Sequence, residues 1–258
     1  MRMDNYAMRR LENKTTSGQM GVKTTPATYG GIITKSLIFG AVTIVATLVS
    51  YFLMANSILN QNEEMLTIML FIAGGAAIPL FIVSLIIAFA PSTVKVLGFV
   101  YALLEGCLLG TMVLIVDIVL PGVPLAAVLG TLIVFVIAVV LNKLLEVKVS
   151  SKLMKGVIIS FVSITLLAAV MGILAALGVV GFGTYWWLEI IVSAVCIVFA
   201  TIMLLSDLQS ADNIVAAGVD SSYEWNVSFA IVTTLVYLYI EILELLVRLA
   251  AVFGRNKN

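Results

Sequence analysis

The sequence predicts an all-α polytopic membrane protein, a seven-transmembrane-helix bundle with the seventh helix central. Three observations carry that prediction. The residues AVILMFWYC make up 62% of the 258-residue chain and charged residues only 11%, where a soluble domain is closer to half and a quarter; the mean hydropathy is +1.18. A soluble fold of this length has nowhere to hide so much apolar side chain, so lipid is its solvent. Seven apolar stretches approach the roughly 20 residues that a bilayer core about 30 Å thick requires, each punctuated by polar, Gly or Pro residues. The last of the seven carries a polar stripe that cannot face lipid tails.

The elements follow in order. Residues 1–32 are polar and lack the apolar core of a cleaved signal, so they are expected to form a loosely ordered tail, with the first membrane helix as insertion signal. The first helix is expected over 33–55, ending at the polar loop 56–64, and the second over 66–90, stopped by Pro91. The third covers 94–119 and is closed by Pro121, Gly122 and Pro124; the fourth covers 125–145, followed by the basic loop 146–155. The fifth spans 156–180 and ends in Gly181-Phe182-Gly183. The sixth starts at Tyr185-Trp186-Trp187 and runs past Asp207, with helical character extending to Ala217 and Gly218 as the stop. The seventh begins near Trp225 and reaches Phe253, making 33–253 one transmembrane domain and 254–258 a short tail.

Lys and Arg set the orientation. Arg2, Arg9, Arg10, Lys14, Lys23 and Lys35 precede or open the first helix, Lys95 lies between the second and third, and Lys143, Lys148, Lys152 and Lys155 follow the fourth. The alternate loops carry no basic residue, so the N-terminus is expected to be cytoplasmic, in a plasma membrane. Arg255 and Lys257 sit on what would be the outer side; an interfacial or re-entrant last helix is the alternative to seven full crossings.

Composition also excludes functions. Fourteen basic residues balance fourteen acidic ones, so there is no footprint for nucleic acid. Histidine is absent, which removes the usual near-neutral titrating group and the commonest metal ligand. Cys107 and Cys196 lie inside apolar runs and read as buried free thiols. No Ser–His pair, HExxH motif or Walker loop is present, and no context typical of aspartyl membrane proteases. No enzyme, catalytic residue or cofactor is expected.

Carboxylates at membrane depth are costly and invite functional readings. Thr234, Tyr237, Glu241, Glu244 and Arg248 recur at three- and four-residue spacing and so share one face of the seventh helix. Glu244 and Arg248, one turn apart, read as a neutralising pair, whereas Glu241 has no cation within a turn. Asp207 reads either as a helix-end carboxylate or as one buried about 15 Å from the helix end. Two carboxylates close together in a low dielectric share a proton rather than both ionise. Glu105 lies mid-helix beside Gly106 and Gly110, whose GxxxG spacing lets another helix approach; it reads as a neutral hydrogen-bonded carboxyl or a cation ligand. Ala168, Gly172 and Ala176 offer a similar small face on the fifth helix.

The run Tyr101-Ala102-Leu103-Leu104-Glu105-Gly106-Cys107-Leu108-Leu109-Gly110, the Asp207-Leu208-Gln209 helix end, and Glu224-Trp225 followed by Thr234-Leu235-Val236-Tyr237-Leu238-Tyr239-Ile240-Glu241-Ile242-Leu243 together resemble the bacterial branch of the Bax inhibitor-1-like, or transmembrane Bax inhibitor motif, family. The resemblance covers roughly 33–253. It implies a seven-helix bundle with the last helix in the middle and a pH-sensitive calcium leak. It also implies an acid pair joining the sixth and seventh helices, mapping onto Asp207 and Glu241, with glutamate where the family carries aspartate. The basic residue that latches this pair in some members has only Lys95 as a loose match. The function expected is a proton-modulated cation leak, with Ca²⁺ the favoured ion and Asp207 and Glu241 its ligands. Glu105, Glu244, Arg248 and Lys95 are accessory candidates. Calcium prefers hard oxygen ligands of this type. The alternative is a non-transporting regulatory partner of a membrane protease or other membrane complex. A third reading is a proton-coupled carrier of small solutes.

Overall fold

The computed structural model describes residues 25–144, 148–176 and 186–255. The tail before residue 25, the loop residues 145–147, the Gly181–Gly183 stop with Tyr185, and Lys257 lie outside the described residues. So do the side chains of Ala168, Gly172 and Ala176. Seven helices follow: α1 (Tyr29–Leu59), α2 (Glu63–Phe89), α3 (Val94–Val119), α4 (Val123–Lys143), α5 (Ser151–Ala176), α6 (Trp186–Ala216) and α7 (Tyr223–Arg255).

Their ends follow local chemistry. Thr28 is extended and its side chain accepts a hydrogen bond from the Gly31 amide at 3.0 Å, an N-cap that starts α1 four residues before the apolar run. The expected polar tail therefore ends sooner than residue 32. A 3-10 turn, Pro91–Thr93, precedes α3, whose bounds match the sequence reading. Gly122, at φ 84°, turns the chain into α4, with Pro124 in the first turn, where its missing N–H has no helical partner to lose. The Leu153 amide donates to the Ser150 hydroxyl, so α5 begins at Ser151 and takes in Lys152 and Lys155, which the sequence left in a loop. Gly218, at φ 61°, stops α6; its amide and that of Val219 return to the carbonyls of Val215 and Ile214 at 3.1 Å.

Among the described residues, α1, Pro91–Val119, α4, Ile190–Ala216 and Tyr223–Val252 are each long and apolar enough to cross a membrane. α1 and α3 pack back to back. A Cβ on Gly106 would sit 2.5 Å from the Ala46 Cβ, and one on Gly110 2.5 Å from the Thr47 carbonyl oxygen. The GxxxG spacing thus does what it promised: it lets two backbones touch where lipid supplies no hydrophobic drive. α2 lies against α1 and α3, and α5 against α6.

α7 is the hub. It packs on α1, α3, α4 and α6 and meets α5 through Tyr237, whose ring stands edge-on to Phe161 at 5.3 Å. No residue from Tyr223 to Ala250 is exposed, whereas large apolar residues project outward all along α1, α2, α4 and α5. Thr234, Tyr237 and Glu241 are shielded as the polar stripe requires. Leu204, Leu238 and Leu243 are fully buried and make apolar layers between α4, α6 and α7. Phe39, Phe99, Tyr101, Trp225 and Phe229 form an aromatic layer where α1, α3 and α7 meet. Both cysteines are free.

Candidate functional site

α6 and α7 form an antiparallel hairpin, and its register decides which side chains meet. The Thr234 hydroxyl donates to the Asp207 carboxylate at 2.6 Å. Nearer the far end, the Arg248 guanidinium donates to the Ser193 hydroxyl. Both pairs are centred on the turn between Asp220 and Ser221. Asp207 stands nine residues inside the end of α6, about 14 Å along the axis, and no ion pair reaches it among the described residues.

The same register puts Glu241 level with Ala200. Glu241 is seven residues beyond Thr234, roughly 10 Å along the helix, so the structure does not bring Asp207 and Glu241 together. The apolar layers containing Ala200, Leu204 and Leu238 lie between them. The side chain that faces Asp207 is Thr234, which the sequence placed on the polar stripe without assigning it that role. Counting outward from the turn between Asp220 and Ser221 would have found it, since an antiparallel hairpin pairs residues equidistant from its turn. Glu241 instead lies beside Tyr237 and Cys196. The Tyr237 hydroxyl is buried there without a well-formed hydrogen bond among the described residues. Glu244 takes a hydrogen bond from Arg248 at 2.8 Å, the neutralising pair expected.

Glu105 is 8% exposed and has Tyr101 one turn back on the same face of α3. Lys95 is exposed on the first turn of α3, where its charge acts on Asp220; it does not latch Asp207. No group of three or more acidic or Cys side chains able to hold a metal ion occurs among the described residues.

The basic-loop end of the bundle holds a second polar set that the sequence reading missed. Glu224, 3% exposed, accepts from the Thr28 amide at 2.7 Å and from the Lys35 ammonium. Asp212 accepts from the Tyr29 hydroxyl (2.8 Å), the Asn142 amide (2.8 Å) and Lys143 (3.0 Å). Gln209 accepts from the Val149 amide at 3.1 Å. These acids answer to partners from distant parts of the chain, which no local motif reveals.

A hub helix with a shielded polar stripe, ringed by apolar helices and carrying isolated carboxylates in its seams, defines a multi-pass helical membrane protein. The family model for Bax inhibitor 1 like proteins matches residues 5–251. The chain belongs to that family. Neither the curated proteins nor the solved structures contain a match to it.

Proposed function

We propose that the protein is a pH-sensitive cation leak, with Ca²⁺ the favoured ion, gated at the α6–α7 seam. The observation that carries the reading is Asp207, held deep in that seam with the Thr234 hydroxyl as its hydrogen-bond partner among the described residues. A charged carboxylate in such surroundings needs water or a cation, whereas its neutral form fits a dry seam. Protonation therefore biases the seam between packed and hydrated arrangements, which is the kind of bistable element a gate requires. Family membership supports the reading, since the resemblance implies such a leak.

In this proposal Asp207 and Glu241 are two successive oxygen stations along one path, separated by the apolar layers, rather than a pair sharing a single proton. Glu105 is a third carboxylate beside the path. Glu244 is neutralised by Arg248 and contributes structure. The N-terminus is cytoplasmic, which puts Asp207 nearer the cytoplasmic side and Glu241 nearer the outer side of the plasma membrane.

The test is dye-reported Ca²⁺ entry into liposomes containing only this protein, across a pH series. Flux that depends on pH, and whose dependence flattens in Asp207→Asn, is the expected result. Absence of flux at every pH would reject the leak and favour a regulatory partner of a membrane protease or other complex, since a binding module is silent without its partner.

A further inference from the structure

We propose that residues 25–28 are a strap that pins the α6–α7 turn to the start of α1 and must release before α6 and α7 part at Asp207. The strap pairs with the turn as a short antiparallel bridge centred on Pro26 and Asp220. The Ala27 amide donates to the Val219 carbonyl at 2.7 Å and the Ser221 amide to the Thr25 carbonyl at 2.8 Å. Thr25 and Ser221 add a hydroxyl–hydroxyl contact at 2.8 Å. Pro26 lacks an amide and loses nothing here, because the two bridging bonds use its neighbours.

Past the bridge, the contact becomes electrostatic. Glu224, at the start of α7, receives the Thr28 amide, and Lys35, in the second turn of α1, bonds both Glu224 and the Ser221 carbonyl. Glu224 thereby caps α1, a favourable place for an acid. The last turns of α6 are tied to the same place, since Asp212 accepts from the Tyr29 hydroxyl. The strap and the first two turns of α1 thus fasten both legs of the hairpin together, and α1 is fastened to α3 along their glycine seam. The anchor is fixed, and the fastened hairpin is the one that carries Asp207.

The fastening is also made of the right material for a switch. Its bonds lie at the aqueous end of the bundle, between polar groups that water can replace. The seam farther in is apolar and packed. Opening at Asp207 by a hinge at the turn would break the strap first, in the manner of a local unfolding unit. The consequence for ion flow rests on the leak proposed above; the restraint on α6 does not.

A crosslink separates the two. Thr25→Cys with Ser221→Cys replaces two touching hydroxyls by a disulfide; Cys107 and Cys196 lie about 20 Å or more down their helices and cannot compete. Hydrogen exchange of 207–216 and Ca²⁺ entry into liposomes are measured on the full chain, oxidised and then reduced. Oxidation is expected to slow exchange beyond Asp207 about tenfold and to lower Ca²⁺ entry several-fold, with dithiothreitol restoring both. Glu224→Gln is expected to move both the other way. Equal exchange in oxidised and reduced protein would overturn the strap, and slowed exchange with unchanged Ca²⁺ entry would overturn its role as a gate. If the reduced protein passes no Ca²⁺, the leak itself fails and the exchange comparison alone decides the strap.

Discussion

Acids at the basic-loop end and acids inside the bundle are the same residue types in opposite company. Glu224 has Lys35 and a helix amide, and Asp212 has Lys143, Asn142 and Tyr29. Asp207 has one hydroxyl, and Glu105 and Glu241 have a tyrosine one turn away. The end acids are fixed charges, because a cation or an amide dipole is built in beside each. Among the described residues Asp207 and Glu105 have no cation bonded beside them, whereas Arg248 bonds Glu244 and acts at longer range on Glu241. The difference teaches that depth alone does not mark a working carboxylate here; Glu224 is as buried as Glu105. The partner's chemistry does.

The comparison can be broken at several points. The largest stability effect should come from Glu224→Ala, which strands Lys35 and the Thr28 amide; loss of one partner of a buried pair costs about 3 kcal/mol. Chemical unfolding in detergent micelles would measure it, and a loss under about 1 kcal/mol would mean that the end acids are not structural. Asp207→Asn should change stability by no more than about 1 kcal/mol, because the amide keeps the shape and the Thr234 contact while removing an uncompensated charge. Its effect belongs in the pH profile of Ca²⁺ entry, which should flatten; Glu244→Gln should leave that profile in place. Asp212→Asn should cost about 1 kcal/mol or less, since the side chains of Lys143 and Asp212 are 54% and 34% exposed and the pair is screened. Raising salt should shrink that difference further.

The smallest effect concerns Asp220, in the turn outside the membrane spans. Hydrogen bonds from Ser222 hold its carboxyl below the usual value. Its folded form binds protons less readily than its unfolded form, so its contribution is complete above about pH 4 and is lost as pH falls through the folded value. Asp220→Asn should remove that acid-side decline, as thermal unfolding at several acidic pH values would show. An identical decline in the variant would place the titration elsewhere.

Much of the architecture was legible because membrane helices announce themselves by composition. The bounds of α3, the Gly218 stop and the close approach at Gly106 and Gly110 follow from local rules. The starts of α1 and α5 did not, since Thr28 and Ser150 cap them ahead of the apolar runs and hydropathy does not register a cap. The site was legible in part. The stripe on α7 is read correctly from spacing, and so is the Glu244–Arg248 pair, whose members are one turn apart. The partner of Asp207 was not, because resemblance pointed to the nearest acid on α7 while hairpin geometry selects a threonine. Glu224 and Asp212 draw partners from up to 196 residues away, beyond any window that sequence spacing can inspect.

The hub position of α7 also bears on how the protein is made. Chains emerge and fold from the N-terminal side, so the six helices that precede α7 enter the membrane before the one around which they are arranged. Until α7 arrives, Phe39, Ala127, Leu204 and Ala200, buried in the finished bundle, have lipid or one another as neighbours. Assembly is therefore centripetal: peripheral pairs such as α1 with α3 can form early through their touching backbones, and the rest waits. A ribosome-stalled chain ending before Tyr223 should hold the α1–α3 contact and lack the remainder, which crosslinking between α1 and α3 and between α4 and α6 in nascent chains would reveal.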